Sequence, residues 1–123
     1  MARLIDTSCW IPALRRGGDP AIRERVRAAI ESGEAVWCAP IRVELWMGTR
    51  RDEEARVLRA YEEMLPQLPI TPEVWQRACI LAERCRRRGK TVPSMDAVIA
   101  ACALVHKVEL MHVDAHFEHL LAG

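Results

Sequence analysis

The chain is poor in aromatic residues other than tryptophan, with one phenylalanine and one tyrosine beside four tryptophans in 123 residues. It has two lysines, Lys90 and Lys107, so sixteen of its eighteen Lys and Arg cations are arginine. Aspartate is scarce too, five against twelve glutamates. No apolar run approaches the roughly twenty residues needed to span a bilayer. The first residues, Met1-Ala2-Arg3-Leu4-Ile5-Asp6, lack the apolar stretch of a signal peptide. These absences argue against membrane insertion and secretion, and a cytoplasmic location is expected. A net charge of +1 excludes a strongly basic nucleic-acid coat. Repeats, low-complexity tracts and linkers are also missing. With half the residues hydrophobic, the expectation is one soluble domain over residues 1–123.

The five cysteines are odd in number and contain no CxxC pair, which excludes a disulfide framework and favours buried thiols. Cys102 and His106 lie four apart, and His112, His116 and His119 cluster near the end, but these spacings match no closed zinc motif.

What is present is regular punctuation. Arg3-Leu4-Ile5 reads as a short strand, followed by a helix from Cys9 to Arg16 that stops at Gly17-Gly18. Asp19-Pro20 is a cap and first-position proline for a helix ending at Gly33. Ala35 to Ala39 reads as a second buried strand, and Pro40 opens a helix to Met47 or Gly48. Asp52 is expected to cap the next helix, Gln67 to Ile70 to form a weak strand, and Thr71-Pro72 to start a helix closed by Gly89. From Ser94 a helix follows whose body, Ala97 to Val105, is apolar on every face, as in a central buried helix. Val108 to Val113 is a last strand and His116 to Leu121 a last helix. Short apolar strands alternating with helices predict an α/β fold: a short, mostly parallel central sheet with helices on both faces.

The scarce aspartates are informative. Asp19 and Asp52 sit in polar turns, whereas Asp6 and Asp114 follow strands, and Asp96 is the only charged side chain between Lys90 and Lys107. Glu44 lies about one turn into the helix after the second strand. The carboxyl ends of parallel strands share one edge, where ligands bind. That edge would gather Asp6, Glu44, Asp96 and Asp114. Like charges so placed raise each other's pKa and cost stability. A hard divalent cation, Mg²⁺ or Mn²⁺, removes that cost and suits all-oxygen ligation better than Zn²⁺. The competing readings are local: Asp6 and Asp114 as helix caps, Asp96 on a helix dipole, and Glu44 facing solvent. They are compatible with metal binding.

The segments Leu4-Ile5-Asp6-Thr7-Ser8-Cys9-Trp10-Ile11, Val43-Glu44-Leu45, Pro93-Ser94-Met95-Asp96-Ala97-Val98-Ile99-Ala100-Ala101 and His112-Val113-Asp114-Ala115-His116-Phe117 resemble, in order and spacing, the motifs of PIN-domain ribonucleases, specifically VapC-like toxins of bacterial toxin–antitoxin pairs. The resemblance covers essentially the whole chain. It implies that Asp6, Glu44, Asp96 and Asp114 are the catalytic, metal-binding acids, with Thr7 or Ser8 shaping the site. It also implies a Mg²⁺- or Mn²⁺-dependent endoribonuclease leaving a 5′-phosphate and a 3′-hydroxyl, an antitoxin partner and a homodimer. Many relatives carry a further acid two residues after the fourth, a position held here by His116.

RNA binding requires cations near the crevice. The candidates are Arg15-Arg16, Arg50-Arg51 and Arg86-Arg87-Arg88 with Lys90, the last group also being a solvated helix end. Trp10 and Trp46 are candidates for lining a partner groove, and core packing is expected for at least two of the four tryptophans. The competing functions are a PIN-fold binding protein without turnover and another phosphate enzyme, such as a phosphatase, a metal-dependent phosphodiesterase or a DNA nuclease.

Overall fold

The computed structural model describes residues 1–122. The element order is β1 (Arg3–Ile5), α1 (Thr7–Leu14), α2 (Pro20–Glu31), β2 (Ala35–Val36), α3 (Ala39–Gly48), α4 (Asp52–Met64), α5 (Pro72–Arg87), α6 (Ser94–His106), β3 (Glu109–Met111) and α7 (Ala115–Leu121). The sheet has the order β2-β1-β3, and both pairings are parallel. This is the expected α/β fold. Strand β1 is central, with Leu4 and Ile5 inaccessible to solvent.

The helices form two groups, α1 with α2 and α5 with α6 and α7, while α3 touches both α1 and α6. Every residue of α6 from Asp96 to Ala103 is buried. Its four alanines, with Val98, Ile99 and Cys102, present an apolar surface on all sides, which is why it occupies the centre. Residues such as Ile99, Phe117, Met111 and Ile41 complete the core.

Several boundaries differ from the sequence reading. Helix α1 begins at Thr7 because Asp6 caps it, and it ends at Leu14. At its far end Gly18 is obligatory, since a Cβ there would collide with the Pro12 carbonyl. Strand β2 covers only Ala35 and Val36; Trp37 leaves the sheet and makes an isolated parallel bridge to Gln67. That bridge is all that remains of the strand expected over 67–70. Asp52 does not cap α4: the capping position is Arg51, and Asp52 is the first helical residue, where its charge still complements the helix dipole. Four of the cysteines are buried as expected, but Cys79 is exposed. No helix among the described residues is long and apolar enough to cross a membrane.

Candidate metal centre

Asp6 is fixed by its backbone. Its amide donates to Met111 O at 2.9 Å, extending the β1–β3 pairing, and its carbonyl accepts from the amides of Cys9 and Trp10. One carboxylate oxygen, Oδ2, caps α1 by accepting from the Ser8 amide at 2.9 Å. The other, Oδ1, is buried without a hydrogen-bond partner, in a residue only 3% exposed. A carboxylate oxygen so placed is unfavourable unless a cation or donor meets it. One oxygen of the side chain thus caps the helix, and the other is left without a partner.

The next two residues connect neighbouring elements. Thr7 Oγ1 donates to Glu44 Oε1 at 2.8 Å, tying α1 to α3. Ser8 Oγ accepts from the Val113 amide at 3.2 Å, tying α1 to the segment after β3.

Asp96 lies in the first turn of α6 and is 7% exposed. Asp114 caps α7, its Oδ1 accepting from the His116 amide at 2.9 Å. The His116 ring closes the group: Nδ1 is 3.2 Å from Asp96 Oδ2 and 3.0 Å from Asp114 Oδ1. One ligand atom from each of Asp96, Asp114 and His116 lies within 4.8 Å of the others.

Electrostatics join Glu44 and Asp6 to this group. Burial raises the Glu44 carboxyl pKa above its ordinary value, the Thr7 bond opposes this, and repulsion from Asp6, Asp96 and Asp114 raises it further. Asp96 is also raised, first by burial and then by Asp6 and Asp114, against the favourable contact with His116. Four carboxylates that repel one another, one with an unpartnered buried oxygen, make a donor set suited to a hard divalent cation. The residues therefore fit Mg²⁺ or Mn²⁺, with His116 Nδ1 as a nitrogen neighbour.

The family model for the PIN domain matches residues 3–121. The chain belongs to the PIN-domain family. It is 33% identical over 118 residues to ribonuclease VapC11 of Mycobacterium tuberculosis, covering 94% of this chain and 88% of that one. It is 32% identical over 106 residues to ribonuclease VapC21 of the same species, covering 84% and 77%. Among solved structures, FitAcB from Neisseria gonorrhoeae superposes with a TM-score of 0.75 at 18% identity, covering 96% of this chain and 92% of that one. VapBC-1 from nontypeable Haemophilus influenzae gives 0.74 at 20% identity, covering 98% and 93%. At these identities the structural likeness concerns the fold.

The basic candidates of this PIN domain separate into two places. Arg15, Arg16, Arg50 and Arg51 line one cleft of about 220 Å³ together with Glu53 and Glu54. Arg88 instead closes the end of α7, donating to the carbonyls of His119 and Ala122 at 3.3 and 3.2 Å. Arg87 pairs with Glu83 at 2.8 Å, and Arg86 and Lys90 line a separate depression.

Trp10 does not line a groove. It is fully buried, with ring centroids 5.8 Å from Trp37 and 5.4 Å from Tyr61. Trp37 is core as well, Trp46 is half-buried and Trp75 is exposed. Glu62 was not anticipated: its Oε2 accepts from Trp46 Nε1 at 3.0 Å and from Arg42 Nη2 at 2.6 Å, anchoring α3 to α4. Its only sequence signal was a polar residue one turn after Leu58, at the edge of the apolar face of an amphipathic helix.

Proposed function

We propose that the protein is a Mg²⁺- or Mn²⁺-dependent endoribonuclease acting as the toxin of a toxin–antitoxin pair. The observation that carries this reading is the grouping of Asp96, Asp114 and His116 within 4.8 Å, beside a buried and unpartnered Asp6 Oδ1. The relatives named ribonuclease VapC support the substrate class, and the likeness to VapBC assemblies supports an antitoxin partner. A homodimer is the proposed working unit.

In this reading the four acids hold the metal, with Asp6 using Oδ1 while Oδ2 stays on the Ser8 amide. When bound, the ion polarises the scissile phosphodiester and lowers the pKa of the attacking water. Thr7 keeps Glu44 turned into the site. The His116 ring lies against Asp96 and Asp114 at the position where many relatives carry another acid. Burial of Asp6 and Asp96 keeps bulk water away from the donors and strengthens their field.

The test is cleavage of total bacterial RNA and folded tRNA by purified protein with Mg²⁺, Mn²⁺ or EDTA, beside Asp6→Asn and Asp96→Asn. Metal-dependent fragments with 5′-phosphate ends, absent from both variants, are expected. Equal fragments from wild type and both variants would refute the assignment.

A further inference from the structure

Of the arginines expected to meet RNA, Arg15, Arg16, Arg50 and Arg51 line one cleft. Its walls come from two corners of the fold, the end of α1 with Arg15 and Arg16 and the α3–α4 connection with Arg50 and Arg51. Arg15 is the floor: half-buried, its Nη2 donates to Gly48 O at 3.4 Å and bridges the two corners. Arg16 and Arg51 are exposed and approach a single carboxylate oxygen from opposite walls. Glu53 Oε1 is 4.0 Å from Arg16 Nε and 3.9 Å from Arg51 Nη1. The lining has four arginines against Glu53 and Glu54, an excess of two positive charges.

A second, narrower cavity of about 20 Å³ shares Leu14, Arg15 and Glu54 with this cleft and reaches Glu44. The arginine cleft therefore adjoins a cavity that reaches one of the four acids, Glu44.

We propose that this cleft binds a backbone phosphate of the RNA strand next to the scissile one, and that the phosphate displaces Glu53 from between Arg16 and Arg51. The proposal rests on the ribonuclease reading. Glu53 marks where one anion meets two guanidinium groups, and their planar forks suit phosphate oxygens better than a carboxylate held at 4 Å. Because Glu53 competes for the same place, affinity is limited and depends on salt.

The test measures binding of a fluorescein-labelled single-stranded RNA to full-length Asp96→Asn protein by anisotropy, across a salt series. Adding Arg16→Ala with Arg51→Ala is expected to weaken binding about tenfold or more. It should also reduce the slope of log affinity against log salt by about 0.7, the value for one phosphate contact to a single strand. Adding Glu53→Gln is expected to tighten binding several-fold. Removing two charges elsewhere, Arg25→Ala with Arg84→Ala, should do neither. Unchanged affinity in the Arg16/Arg51 variant, or an equal loss in the Arg25/Arg84 control, would overturn the proposal. So would weakened binding of an acidic peptide with RNA affinity intact, which would make the cleft a protein-docking site. In the wild-type background the paired substitution should raise KM for RNA. RNA cleavage with an unchanged KM would sink the cleft proposal alone, whereas no cleavage by wild type would sink the ribonuclease reading and leave the binding result to decide the cleft.

Discussion

Thr7 and Glu44 are 37 positions apart, yet the Thr7 hydroxyl lies 2.8 Å from Glu44 Oε1. This bond joins the residue after Asp6 to the one acid of the site that lies on neither a strand end nor a first helical turn. Without it Glu44 has no other hydrogen-bonding restraint among the described residues.

Removing that restraint should cost activity. Thr7→Val keeps the shape and deletes the donor, and kcat/KM for RNA cleavage should fall about tenfold, equivalent to about 1.4 kcal/mol. Thr7→Ser should retain most of the activity. Equal rates for all three proteins would show that Glu44 needs no positioning.

The raised carboxyl pKa of Asp96 gives a pH dependence with a definite sign. A carboxyl whose folded pKa exceeds its unfolded value favours the fold while protonated. That contribution is complete below the unfolded pKa and is lost as pH rises through the folded one. In metal-free protein, Asp96→Asn should therefore raise Tm more at pH 7.5 than at pH 4.5. A Tm difference independent of pH, or larger at pH 4.5, would contradict the arrangement.

His116 can be converted to the acid found at that position in many relatives. His116→Asp replaces the partner of Asp96 and Asp114 with a further negative charge. The metal-free Tm should fall, and the Mn²⁺ concentration for half-maximal stabilisation should fall with it. If neither moved, the ring would not face the acids in solution.

The Glu62 anchor predicts a purely structural effect. Glu62→Ala removes the acceptor shared by Trp46 and Arg42, which are on the helix that carries Glu44. The cost should be about 1 kcal/mol, roughly 3–6 °C in Tm for a domain of this size. An unchanged Tm would mean that solvent replaces the contact without loss.

The acids were legible in the sequence because each interrupts an apolar segment: Asp6 after Leu4-Ile5, Asp114 after Met111-His112-Val113, and Asp96 alone in α6. A parallel sheet then leaves one edge where they can meet. The extent of β2 was not legible. Ala35 to Ala39 is uniformly apolar, but β1 offers partners only to Ala35 and Val36, and Trp37 turns away to pack on Trp10. Composition also could not sort the arginines. Arg15-Arg16 and Arg50-Arg51 share a cleft only because α1 and α3 pack together, whereas Arg88 is drawn to the open carbonyls at the end of α7. The partner of Glu62 depends on the crossing of α3 and α4, which no local pattern encodes.

Four carboxylates from distant parts of the chain are proposed to form one cation site. Its most direct test is a Mn²⁺ titration followed by electron paramagnetic resonance, comparing wild type with Asp6→Asn, Glu44→Gln, Asp96→Asn and Asp114→Asn. The account predicts saturable loss of the free-Mn²⁺ signal in wild type and weaker binding in every variant, with Asp6→Asn and Asp96→Asn affected most because these two acids are the most buried. Equal Mn²⁺ affinity in wild type and all four variants would contradict it.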